Sequence, residues 1–154
     1  MDNLVVRVKR TDNRVHFECV SDTYPTITIP SDFAPPLGSG QGFAGLEILL
    51  ISIASCVSTT VVFLLGRLDK HITSYTATAE GVRTERPLTL KEVRLHLSIE
   101  SEDITDIDME KVIKQAEAIA PVWQAVKNNV VVEITFELHK ITENQGQQAR
   151  GLVL

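Results

Sequence analysis

Cysteine is scarce in this chain. Cys19 and Cys56 are the only two in 154 residues, too few for a disulfide framework. Positive charge is in the minority, with a net charge of -5 and no clustered Lys/Arg stripe, which excludes a nucleic-acid-binding surface. The N-terminus lacks the pattern of a signal peptide: Met1-Asp2-Asn3 is acidic, and Leu4 to Lys9 alternates instead of forming an apolar block. The four histidines, His16, His71, His96 and His139, have no metal-ligand spacing and read as strand and loop residues. Gly38-x-Gly40-x-Gly42 has the wrong spacing for a phosphate-binding loop, and no serine-centred nucleophile elbow is present. No metal and no cofactor is expected, and the expected compartment is a reducing cytoplasm.

What is present is an ordinary soluble composition, 44% hydrophobic and 23% charged, long enough for one compact domain with a real core. Leu4–Lys9 and Val15–Val20 alternate around Thr11-Asp12-Asn13, which is turn chemistry, and so predict a hairpin. Thr26–Ile29 predicts a short third strand ended by Pro30. The loop from Ser31 to Gly42 holds Phe33 and Leu37, with Phe43 just beyond it, and is too apolar for a plain linker. A long helix is predicted from about Ala44 to Arg67. Strands are predicted over Ile72–Thr84 and Thr89–Glu100, the second with clean alternation of Val93, Leu95, Leu97 and Ile99 against polar neighbours. Thr105-Asp106-Ile107-Asp108 resembles a capping box, opening a helix whose apolar side is Ile107, Val112, Ile113 and Ala116. Pro121 breaks it, Val122–Lys127 continue it, and Val130–Lys140 predicts the last strand. Blocks of strands and helices point to an α+β fold with a mostly antiparallel sheet. The expected organisation is one domain over residues 1–142 and a polar tail over 143–154.

The long helix carries the chemistry. Ile48 to Leu65 has no charge and is long enough to span a membrane. Ser52, Ser55, Ser58, Thr59 and Thr60 count against that reading, as do flanks, Glu47 and Arg67, without an aromatic belt. A helix apolar all round can equally be the buried centre of a globular fold, and no membrane association is expected. Cys56 lies within this helix and is either an inert small hydrophobe or the reactive atom of the protein. Its face includes Leu49, Ser52, Ile53, Thr59, Thr60 and Phe63. Those hydroxyls either donate to a thiolate or bond back to the preceding turn. Glu47 suits the positive end of the helix dipole; it stands about 180° around and roughly 13 Å along the helix from Cys56.

Leu46-Glu47-Ile48-Leu49-Leu50 leading to Ala54-Ser55-Cys56 resembles the signature helix of the OsmC/Ohr family, and Ala118-Ile119-Ala120-Pro121-Val122 is similar to its second signature, a helix running into Cys-Pro-Val. The element order is similar from Leu4 to about Ile141. The resemblance implies sheets wrapped around a long central helix, an intertwined homodimer, and active sites at the interface. It implies a first cysteine that attacks an organic hydroperoxide, a second that closes a disulfide, and an arginine and a glutamate that activate the first. Cys56 matches the attacking cysteine. Ala120 stands at the resolving position, so the usual disulfide cannot form. The glutamate of the peroxidase members falls at Leu46, while Glu47 matches the broader OsmC-like pattern. The customary Asn-Pro before the helix is Ala44-Gly45. The activating arginine would come from the first hairpin, as Arg10 or Arg14.

Two readings follow. One is thiol-dependent reduction of small apolar hydroperoxides through Cys56, with an external thiol as reductant and with Phe43, Ser52, Phe63 and Trp123 around the substrate. The other is a non-catalytic dimeric binding protein for an apolar or thiol-bearing ligand, with Cys56 unactivated; a third, structural possibility leaves Cys56 inert. Cys19 is read as a strand or core residue.

Overall fold

The computed structural model describes residues 3–141. The polar tail expected from residue 143 lies outside the described residues. The chain divides between Leu49 and Leu50 into two compact units.

The first unit holds β1 (Val6–Arg10), β2 (Phe17–Ser21) and β3 (Thr28–Ser31), paired antiparallel in that order. The hairpin turn forms where the Asp12-Asn13 chemistry placed it: Asp12 Oδ1 accepts from the N–H groups of Arg14 at 2.8 Å and His16 at 3.1 Å. The third strand differs from its predicted bounds, because it runs through Pro30. Among the described residues β2 is the one strand beside β3, whose other side meets a single bridge from Ser31 to Phe43, and an edge strand has room for a residue without an N–H.

The loop after β3 is organised by a buried carboxylate. Asp32 accepts from the N–H of Phe33, the N–H and hydroxyl of Ser39, and the N–H of Gln41, at 2.7–3.1 Å. These donors, Gln41 foremost, hold its carboxyl well below the usual range. A Cβ on Gly38 would overlap both Asp32 Oδ1 and the carbonyl of Phe33, so only glycine fits there. The long helix α1 (Gly45–Arg67) begins as this loop ends.

The second unit contains the rest of α1, then β4 (Ser74–Glu85), β5 (Leu88–Glu100), α2 (Asp106–Ile119), α3 (Pro121–Val126) and β6 (Val131–His139). Strands β4 and β5 form an antiparallel hairpin, whereas β6 pairs with β5 in parallel. That direction follows from the connection: α2 and α3 carry the chain back across the sheet, as a parallel pairing requires. The fold is α+β, with two sheets and mostly antiparallel pairing.

Val57, Val61, Leu64 and Leu65 of α1 form one core with Leu95, Leu97 and Ile99 of β5, Met109, Val112 and Ala116 of α2, and Ala120 and Trp123. Burying each large apolar side chain contributes about 1.5–3 kcal/mol. The apolar run is therefore the core helix of a globular unit. Ile107 departs from expectation: it is 77% exposed. Buried Met109, Val112 and Ala116 recur at i, i+3 and i+7, and residue 107 falls on the opposite side of that stripe.

Helix α1 ends where Asp69 adopts a left-handed backbone (φ 56°). The Lys70 N–H then reaches the Leu65 carbonyl, and the Asp69 N–H reaches that of Gly66, both at 3.1 Å. Lys70 is thereby aimed at the start of α2. Its Nζ lies 2.9 Å from Asp108 Oδ2 and 2.7 Å from the Asp103 carbonyl. Asp108 also completes the expected capping box with Thr105. Lys70 and the Thr105 donors together lower the Asp108 carboxyl from 3.8 to about 2.

Candidate active site

The sulfur of Cys56 meets the break between α2 and α3. Ala120 ends α2 with an extended backbone (ψ 115°), and Pro121 occupies the first turn of α3. Proline suits that position because its missing N–H has no helical partner to lose. The next residue, Val122, keeps its N–H, which has no acceptor inside the helix. That N–H points to Cys56 Sγ, with N···S at 3.4 Å. Cys56 itself is half-buried against the core that contains Ala120 and Trp123. Two sequence segments that share no local contact thus converge: the cysteine of the first motif and the Ala-Pro-Val of the second.

The other candidates around Cys56 separate by environment. Trp123 lies in the core. Phe63, two helical turns beyond Cys56, is 55% exposed, with the Arg67 guanidinium 5.9 Å from its ring centre. Ser52 lies one turn before Cys56 and offers its carbonyl to the Ser55 hydroxyl. The hydroxyls of Thr59 and Thr60 bond back to the carbonyls of Ser55 and Cys56, at 2.8 and 2.9 Å. These three hydroxyls therefore serve the helix backbone.

The remaining candidates belong to the first unit. Glu47 Oε2 accepts from the Ala44 N–H at 2.7 Å, satisfying a donor at the start of α1. Arg14 donates to the Gly38 carbonyl at 3.2 Å, which ties the hairpin to the Asp32 loop. Arg10 ends β1 opposite Phe17 and is exposed. The exposed Phe43 exchanges backbone hydrogen bonds with Pro30 and Asp32 at 3.0 and 3.1 Å. Cys19 sits on β2 between Val8 and Ile29 and is half-buried. Among the described residues no group of three or more His, Cys, Asp or Glu could hold a metal ion.

On the side of α1 away from Cys56 lies a cavity of about 370 Å³, lined by Leu50, Ala54, Ser58, Ala77 and Ala79 among others. The nearby Tyr75 hydroxyl is buried and has no hydrogen-bond partner among the described residues. Burial raises its pKa, and the Ser58 hydroxyl only partly offsets that from outside good hydrogen-bond geometry.

The sequence reading missed the Val122 N–H. A main-chain donor leaves no side-chain pattern; its one signal is Pro121, which marks a helix start and so a free N–H one residue on. It also missed Asp32, whose signal is an Asp followed by a glycine-rich loop.

No protein of curated function matches the chain in sequence. Solved structures share its fold. An OsmC-like protein of Mycoplasma pneumoniae is similar with a TM-score of 0.76 and 18% identity, over 89% of this chain and 97% of that one. A hypothetical protein of Aquifex aeolicus gives 0.77 and 19%, over 92% and 100%. An organic hydroperoxide resistance protein of Elizabethkingia anophelis gives 0.69 and 17%, over 90% and 98%. Residues 38–135, well over half of the 154, match the family described as OsmC-like protein and span both the helix with Cys56 and the break at Pro121; the chain belongs to the OsmC-like protein family.

Proposed function

We propose that the protein reduces small apolar hydroperoxides through Cys56, with an external thiol as reductant. The observation that carries this reading is the Val122 N–H at 3.4 Å from Cys56 Sγ. A main-chain donor aimed at the sulfur holds it in one orientation, and a cysteine attacks through that sulfur as the thiolate. The name of the Elizabethkingia neighbour points to the same substrate class. In the first step the thiolate takes the terminal oxygen of ROOH. The O–O bond breaks, the alkoxide leaves as alcohol once protonated, and sulfur becomes a sulfenic acid. One thiol then displaces water to give a mixed disulfide, and a second thiol releases Cys56 with formation of the small-molecule disulfide.

The reading includes a homodimer in the cytoplasm. Ile51, Ser55, Thr59, Val62 and Gly66 form an exposed row of small and apolar residues along α1, at helical spacing, and small residues between two apolar ones suit the close approach of a second copy of the helix. One observation favours the alternative, a binding protein for an apolar or thiol-bearing ligand: Ala120 supplies no second thiol for turnover.

The deciding experiment is consumption of cumene hydroperoxide with a small dithiol, for the native protein and for Cys56→Ser and Cys19→Ser. Activity lost in the first and kept in the second supports the peroxidase. No consumption by the native protein, together with saturable binding of an apolar fluorophore, supports the alternative.

A further inference from the structure

The nitrogen that faces Cys56 has a second capability once the sulfur is oxidised. We infer that the sulfenic acid of Cys56 condenses with the main-chain nitrogen of Val122 to form a sulfenyl amide, a reversible cap in place of the missing disulfide. The inference rests on the peroxidase reading above, which supplies the sulfenic acid from an organic hydroperoxide. Sulfenic acids condense either with a thiol or with a backbone nitrogen. At Ala120 the thiol is absent, and two residues on the nitrogen is present at 3.4 Å.

The geometry favours bond formation in three respects. The N–H points at sulfur, so the in-plane electron pair left when that proton departs lies along the same line. The N–H is at the start of α3, where it holds no helical hydrogen bond that the reaction would break. Helix α3 has no side-chain cap at its start, so no capping hydrogen bond has to break for the nitrogen to close on the sulfur.

The chemistry balances without a further oxidant. The hydroperoxide oxidises sulfur by two electrons in the first step. In the condensation the S–O bond breaks and an S–N bond forms, and the hydroxyl leaves with the amide proton as water. An external thiol reverses it: sulfur is attacked, the S–N bond breaks, the nitrogen regains a proton, and a mixed disulfide remains for a second thiol to reduce. The cap protects Cys56 from the sulfinic form, from which simple thiols cannot recover it.

The test uses the full chain carrying Cys19→Ser, which removes any competing disulfide. It is treated with one equivalent of cumene hydroperoxide, without thiol, and mapped by peptide mass spectrometry. The expected product links the Cys56 peptide to the Val122 peptide with loss of two hydrogens, and dithiothreitol reverses it. Val122→Pro removes the N–H within the first turn of α3, where no helical hydrogen bond is lost with it; the link is expected to vanish and sulfinic acid to accumulate. Val122→Ala keeps the N–H and is expected to keep the link, which separates loss of the nitrogen from loss of the side chain. Sulfenic or sulfinic acid on Cys56 with no link to Val122 in the parent would overturn this inference and leave the peroxidase reading standing. An unoxidised Cys56 would overturn both.

Discussion

The Val122 N–H and the Cys56 sulfur, 66 residues apart in sequence, meet at 3.4 Å. This contact fixes the register between the two family motifs. It also places Ala120, the fully buried residue two positions earlier, on the same core as the cysteine.

Ala120→Cys is therefore expected to form a disulfide between Cys56 and the introduced cysteine under mild oxidant, since Cys56 packs on the core that holds Ala120 and touches the main chain two residues on. Turnover with dithiol reductants should rise, and inactivation by excess hydroperoxide should slow, because a built-in thiol competes with over-oxidation. Non-reducing peptide mapping and a hydroperoxide consumption assay check the two parts. The disulfide without faster turnover would favour the binding reading, and its absence would mean that the second motif is misaligned.

Gly38→Ala should destabilise the first unit. The added methyl would overlap Asp32 Oδ1 and the Phe33 carbonyl, and forced overpacking costs about 1–3 kcal/mol. Asp32→Ala should loosen the same loop by leaving the donors of Phe33, Ser39 and Gln41 without their acceptor. Limited proteolysis between residues 33 and 43, compared with cleavage elsewhere in the chain, reads both effects. Equal cleavage in native protein and variants would refute the role given to the carboxylate.

Much of this architecture was legible because side-chain pattern dictates it. The alternation of Val93 to Ile99 sets the inner face of β5, the charge-free run sets α1, and Thr105 with Asp108 sets the start of α2. Other features depend on partners that sequence does not name. Pro30 reads as a strand end until its edge position is known, and the direction of β6 depends on how α2 and α3 cross the sheet. Ile107 reads as apolar filling until the helix phase is fixed by Met109 and Val112. In the site, Cys56 was legible from its motif, and the Val122 N–H was not, because every residue except proline carries one.

The exposed row on α1 offers a test of the proposed dimer. A charge buried in an apolar contact without a partner is costly, so Ile51→Glu combined with Val62→Glu should convert the dimer to monomer in sedimentation equilibrium while circular dichroism stays native. A native protein that is monomeric at micromolar concentration would remove the dimer from the proposal. A dimer that survives the double substitution would move the interface to another face.

Acid should weaken the joint between α1 and α2 in a defined window. The Asp108 carboxyl titrates at about 2 in the folded protein against an ordinary 3.8, chiefly through Lys70 and then through Thr105. A lowered folded pKa means that the stabilisation is complete above 3.8 and is lost as pH falls through about 2. Other carboxylates, Asp103 and Asp32 among them, are also lowered, so the melting curve of the native protein alone cannot isolate this one. The difference between native and Asp108→Asn can. That gap in Tm should be constant above about pH 5 and close as pH approaches about 2. Lys70→Met should show the same window, and the double variant should lose less than the sum of the two, because each single change already breaks the pair. High salt should shrink the gap, since both side chains keep about a fifth of their surface in water. A gap that does not change from pH 7 to pH 2 would show that Asp108 acts by packing alone and that its charge contributes nothing to the joint.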